Sequence, residues 1–140
     1  MSIFFLFTKK DRYWLDGDAV RVPDASGSDK LRPDVWTVPV STYRGAHFAV
    51  FPPELIEPCV LAGCPEGGTV LDPFAGVGTT AGVALRHGRN AILCELNPEY
   101  GDLVEDRVHS ISGLRGRGSV VRPTGVTSSV EDEAWMADLI

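Results

Sequence analysis

Long apolar runs are scarce in this sequence. The first, residues 3–7, gives way to Lys9, Lys10 and Asp11 and is too short for a signal-peptide core or a membrane span. The expectation is a cytoplasmic protein with no membrane partner. Cysteine is sparse as well: Cys59, Cys64 and Cys94 are odd in number and lack a paired C-x-x-C spacing, and the three histidines are scattered. Neither a zinc centre nor a disulfide framework is indicated, and the cysteines read as small buried apolar residues. His47, on an apolar approach, reads as a packed, hydrogen-bonded residue and not as a catalyst. Positive charge is in deficit too, with a formal net charge of −6. The deficit is uneven: residues 1–46 hold seven Lys or Arg against six acids, residues 47–112 three against nine, and the remainder three against four. Only the first of these stretches can present a basic face, and a modest one. At 140 residues and 44% hydrophobic, the chain needs no more than one domain.

What is present is concentrated in Thr69-Val-Leu-Asp-Pro-Phe-Ala-Gly-Val-Gly-Thr-Thr80. An apolar run ends in a carboxylate, a glycine pair turns the chain, and a helical pattern starts at once. A strand carrying Val70 and Leu71 would deliver Asp72 to a sheet edge, where Gly76 and Gly78 let the backbone approach a bound molecule. The helix would run over residues 79–87, with Arg86 and His87 in its last turn and Gly88 as its stop. A second apolar run, Ala91-Ile-Leu-Cys94, ends in Glu95. Gly76-Val-Gly-Thr-Thr-Ala81 satisfies G-x-G-x-x-G/A, and Glu95 stands where a ribose-binding acid is expected, so the parts have the spacing of a nucleotide-binding βαβ unit. That spacing fits a nicotinamide dinucleotide as well as S-adenosylmethionine. Asp72 tips the balance: it would repel a pyrophosphate on the helix N-terminus, and it suits an ammonium group and a sulfonium charge.

The flanking segments follow from local signals. Residues 3–8 and 13–16 read as two strands around the charged turn Lys9-Lys-Asp-Arg12. Residues 24–30 read as a loop, and Val35-Trp-Thr-Val-Pro-Val40 as an extended piece that its proline confines to an edge or to no sheet. Pro53 favours a helix start, with Leu55, Ile56, Cys59 and Val60 on one buried face, and Pro58 should kink or divide that helix. After Glu95, Asn97 as N-cap, Pro98 in the first turn and Leu103, Val104, Val108 and Ile111 behind them predict a helix stopped by Gly113. From residue 114 the composition is that of a flexible tail whose acidic end, with Trp135 and Met136, is able to form a short docking turn. The expected division is residues 1–46 as amino-terminal strands and loop, residues 47–113 as a βαβα ligand unit, and residues 114–140 as tail.

Asp72-Pro-Phe-Ala-Gly-Val-Gly-Thr-Thr80 resembles the cofactor motif of DNA amino-methyltransferases, which methylate adenine N6 or cytosine N4. His47-Phe-Ala-Val-Phe-Pro-Pro-Glu-Leu55 matches the H-x-A-x-F-P-x-x-L motif that precedes the glycine loop in the β-class, where the cofactor half comes last. Cys94-Glu-Leu-Asn-Pro-Glu-Tyr100, Phe5-Leu-Phe-Thr-Lys9 and Arg12-Tyr-Trp-Leu-Asp16 resemble that class too, so the likeness spans about residues 3–112. It implies an α/β chain with a partial Rossmann-like S-adenosylmethionine-dependent methyltransferase fold. It implies that Asp72 and Phe74 line the methionine side of the cofactor, that Gly76 and Gly78 admit it, and that Thr79 or Thr80 meets its carboxylate. Glu95 would hold the ribose hydroxyls, Leu96 would pack on the adenine, and Phe51 and Pro52 would close the other side. The implied partner is DNA, and no metal is implied.

One element of the family is missing. Transfer to an exocyclic amine uses a tetrapeptide of Asp, Asn or Ser, then Pro-Pro and an aromatic, which accepts from the flipped base and stacks on it. Asn97-Pro-Glu-Tyr100 puts Glu99 where the second proline belongs, and Phe51-Pro-Pro-Glu54 lacks both the polar head and the aromatic end. No catalytic residue is therefore assigned. The expectation is a carboxy-terminal, cofactor-binding half: a piece of a larger product, a subunit completed by a second chain carrying the tetrapeptide, or a remnant that only binds, with a homodimer as the other assembly expected. Two parallel strands with their helices make a thin core, and an exposed apolar sheet edge near Val70 and Ile92 follows. A noncatalytic binding module is the second function class, and a nicotinamide-dependent oxidoreductase the third.

Overall fold

The computed structural model describes residues 4–39 and 50–113. A two-residue pair, β1 (Val22–Pro23) and β2 (Asp29–Lys30), is followed by α1 (Pro53–Gly63), β3 (Thr69–Asp72), α2 (Thr79–Arg86), β4 (Asn90–Leu93) and α3 (Pro98–Ser112). The chain is mixed α/β, and its centre is a βαβα unit. Strands β3 and β4 run parallel with Val70 opposite Ala91, Leu71 opposite Ile92 and Asp72 opposite Leu93. No helix of the described residues is long and apolar enough to cross a membrane.

Side chains alternate along a strand, and the two faces of this pair have different fates. Val70 and Ala91 pack with Ile56 against a core of Val60, Val83, Ala84 and Ile111. Leu93 and Ala91 pack with Leu85 against Ala81, Val104 and Val108. The three helices thus share one core that takes in one face of the sheet. The opposite face carries Leu71 and Ile92, each 56% exposed. The expected bare apolar surface is there, but it is a face and not an edge, and Leu71 stands in it where Val70 was expected, because the two-residue period turns Val70 inward.

Helix ends follow the sequence closely. Asn97 caps α3 by accepting from the Glu99 N–H at 3.0 Å, Pro98 opens the first turn, and Gly113 ends the helix at φ +70°. Gly88, at φ +72°, follows α2. Helix α1 is not divided at Pro58: it runs through it as one helix. Proline removes one bond to the carbonyl of residue 54, and Glu54 is solvent-exposed, so water can serve that carbonyl.

The amino-terminal strands are not formed. Residues 4–16 are irregular, with Phe5 74% and Phe7 86% exposed. Phe4 stacks on Trp36 at 6.1 Å between ring centres, and Asp16 N–H donates to the Ala62 carbonyl at 2.9 Å, which ties this segment to α1. The expected loop at residues 24–30 is instead the tight turn of the β1–β2 pair. Asp24 Oδ1 accepts from the Ser26 N–H and hydroxyl and from the Ser28 N–H at 2.6–3.0 Å, and these bonds, led by the Ser26 hydroxyl, lower the pKa of its carboxyl. Residues 35–39 join no sheet. His47 and the docking turn expected near Trp135 lie outside the described residues.

Candidate functional site

Because β3 and β4 are parallel and in register, their carboxyl ends open at the same sheet edge. The pairing continues past the strands: Cys94 N–H donates to the Asp72 carbonyl at 2.9 Å, and Ala75 N–H to the Cys94 carbonyl at 3.0 Å. The turn after β3 therefore folds back over the end of β4. Asp72 ends one strand and Glu95 follows the other. The acids predicted from sequence meet around one turn.

Both carboxylates hold that turn. Glu95 Oε2 accepts from Gly76 N–H at 2.7 Å, and its Oε1 accepts from Asn97 N–H at 2.8 Å. Asp72 Oδ1 accepts from Phe74 N–H at 3.0 Å, and its Oδ2 from the Thr80 hydroxyl at 2.6 Å. An ionised carboxylate offers roughly four lone-pair sites. With two in use on each, about two remain on Asp72 and two on Glu95. The half-buried Glu95 keeps enough acceptors for a pair of neighbouring hydroxyls, and Asp72 for a cationic group.

The two glycines differ in purpose. A Cβ at Gly76 (φ +53°) would meet nothing within 4 Å, so the space over this residue is open to a ligand. A Cβ at Gly78 (φ +85°) would lie 3.0 Å from Val104 Cγ1 and 3.3 Å from Val108 Cγ2. Gly78 was expected to admit a ligand, and in the structure it lets α3 pack against the start of α2. The two threonines differ as well. Thr79 is 1% exposed, with a buried hydroxyl that has no partner among the described residues, and Thr80 is 6% exposed with its proton committed to Asp72.

On the α1 side of β3 lies an open hollow of about 460 Å³, bounded by Phe51, Ile56, Cys59, Val70, Asp72, Phe74 and Thr80 among others. Gly76, Glu95 and Leu96 are not in its lining and sit at the adjoining turn, so Asp72 and the residues after it are the shared wall. Phe74 is 88% and Leu96 98% exposed, both free to lie against a flat ligand, while Phe51 is 38% exposed and Pro52 half-buried at the start of α1. Burial pushes the Cys59 thiol up from its usual value, against the opposing charge of Arg32, so this sulfur serves the hollow as a neutral lining group. Sequence reasoning missed two contributions. The Asn97 N–H holds Glu95, which the capping pattern could have disclosed, and the Thr80 hydroxyl holds Asp72, for which the sequence had no signal.

Comparison with known proteins gives the geometry its context. The family model described as DNA methylase matches residues 2–106. The Type II methyltransferase M.Cfr9I of Citrobacter freundii is 45% identical over 107 residues, 76% of this chain and 36% of that protein. M.SmaI of Serratia marcescens is 42% identical over 106 residues, 74% of this chain and 36% of that protein. A solved structure of a DNA modification methylase from Thermus thermophilus, complexed with S-adenosyl-L-methionine, is 42% identical over 44% of this chain and 26% of its own, with a TM-score of 0.39. The chain spans about a third of the length of the curated relatives it matches.

Proposed function

This chain belongs to the DNA methylase family, and from that membership we propose that it is the S-adenosylmethionine-binding part of a DNA methyltransferase acting on adenine N6 or cytosine N4. The observation that carries the reading is the pair of acids at adjoining strand ends, each bonded to the same glycine turn with acceptor sites to spare, and the open space over Gly76 in that turn. Asp72 would take the α-ammonium and face the sulfonium charge, and Glu95 would accept from both ribose hydroxyls. Leu96 and Phe74 would cover the apolar surfaces of the cofactor, with Phe51 and Pro52 closing the hollow. Gly78 contributes by letting α2 begin where it does. When bound, the cofactor supplies an electrophilic methyl group; this chain's residues bind and orient it.

The group that would hold the target base is not in this sequence, since neither Asn97-Pro-Glu-Tyr100 nor Phe51-Pro-Pro-Glu54 has the required form. We infer that the catalytic tetrapeptide comes from polypeptide outside these 140 residues. The bare pair Leu71 and Ile92 favours that reading, because parallel sheets are covered on both faces. DNA is the proposed substrate, and a second chain carrying that tetrapeptide the proposed complement; a homodimer would cover the bare sheet face without supplying it. A noncatalytic binding module is the alternative.

Calorimetry with S-adenosylmethionine, together with transfer of a labelled methyl group to plasmid DNA, tests the reading. The chain is expected to bind the cofactor and to label DNA only when a polypeptide carrying the missing tetrapeptide is added. Cofactor binding with no DNA labelling under any combination would support the binding module, and no cofactor binding at all would remove the proposal.

A further inference from the structure

We propose that Thr80 is a positioning residue: its hydroxyl sets the orientation of the Asp72 carboxylate and donates no hydrogen bond to the ligand. The inference rests on the reading above, in which Asp72 takes the cationic end of S-adenosylmethionine. A hydroxyl has one proton to donate, and that of Thr80 goes to Asp72 Oδ2 at 2.6 Å. It has none left for an anionic group on the ligand. The other oxygen, Oδ1, is held at 3.0 Å by the Phe74 N–H from the turn. One donor from α2 and one from the turn thus grip opposite oxygens and fix the plane of the carboxylate. Thr80 is 6% exposed, which shields its bond from competing water, while Asp72 is only half-buried and keeps acceptor sites for a ligand. Thr79 does not share the role: it is buried, and its hydroxyl makes no hydrogen bond to Asp72 or to any other described residue.

The test is a double-mutant cycle read by calorimetry with S-adenosylmethionine on the full chain. Thr80→Val is expected to weaken binding roughly tenfold, the size of one lost charge-assisted hydrogen bond. Thr80→Ser, which keeps the hydroxyl, should bind within about twofold of the wild type. In an Asp72→Asn background the valine change should add no more than about a twofold loss, because the coupled partner is already altered. A threonine that merely packs α2 would give equal losses in both backgrounds and would not be rescued by serine. Thermal unfolding is followed in parallel, and if Thr80→Val does not fold, the cycle is run with Thr80→Ala. Wild-type binding with an unaffected Val or Ala variant, or equal losses in both backgrounds, overturns this proposal alone. No binding by the wild type overturns it together with the proposed function.

Discussion

Gly76 and Glu95 are nineteen positions apart in the chain and joined by a 2.7 Å hydrogen bond, the backbone N–H donating to Oε2. With the 2.8 Å bond from Asn97 N–H to Oε1, the carboxylate fastens the turn after β3 to the start of α3. Glu95→Ala would leave two N–H groups without acceptors. Its expected effects are a loss of about 1–3 kcal/mol of stability and a fall of roughly a hundredfold in S-adenosylmethionine affinity. Glu95→Gln keeps one acceptor oxygen and should recover part of the first effect and little of the second. Thermal unfolding and calorimetry on the two variants separate these outcomes.

Substitution of the two site glycines should fail in different ways. Gly78→Ala puts a methyl 3.0 Å from Val104 at φ +85° and is expected to cost about 2–4 kcal/mol in urea unfolding. Gly76→Ala meets no atom within 4 Å, so only its positive φ of +53° counts against it, at about 1–2 kcal/mol. The Gly76 variant should lose more cofactor affinity than the Gly78 variant once both are measured well below their unfolding midpoints.

Cys59 gives a pH-dependent signature. Burial raises its thiol above the usual 9.0, so the folded state holds this proton more tightly than the unfolded chain. Stability from this group is fully present below about pH 9 and is lost as the pH rises through the unfolded value towards the folded one. Cys59→Val should flatten that alkaline decline in denaturant titrations. Iodoacetamide at neutral pH is expected to modify the exposed Cys94 first, with Cys59 and the buried Cys64 reacting more slowly, as peptide mapping would show.

The uncovered sheet face supplies another test. Leu71 and Ile92 are cross-strand neighbours at 56% exposure, so Leu71→Lys and Ile92→Lys remove little buried area. Each is expected to change stability by no more than about 0.5 kcal/mol and to reduce concentration-dependent self-association in light scattering. A marked drop in melting temperature for either variant would show that the face is already covered.

The central unit is legible in the sequence because its signals are local and agree with one another. Asn97 and Pro98 mark the start of α3, Gly113 its end, and the register of Asp72 and Glu95 follows from two short strands with a helix between them. Residues 4–16 mislead because β-propensity records fitness for a sheet and does not supply a partner strand. Pro58 is a weaker breaker than its type suggests, since it removes one bond near an exposed residue. The separate uses of Gly76 and Gly78 cannot be read from sequence at all: both satisfy one pattern, and only the approach of Val104 and Val108 from α3 distinguishes them. Resemblance assigns Thr79 or Thr80 to the ligand, while the committed proton of Thr80 is visible only in three dimensions.

Asp72 and Glu95 accept four hydrogen bonds, two from the turn after β3, one from α2 and one from the cap of α3. On the proposed function, a receptacle tied down by the chain's own bonds leaves the ordering penalty of association mainly to the incoming partner, so affinity is expected to follow how well that partner fits.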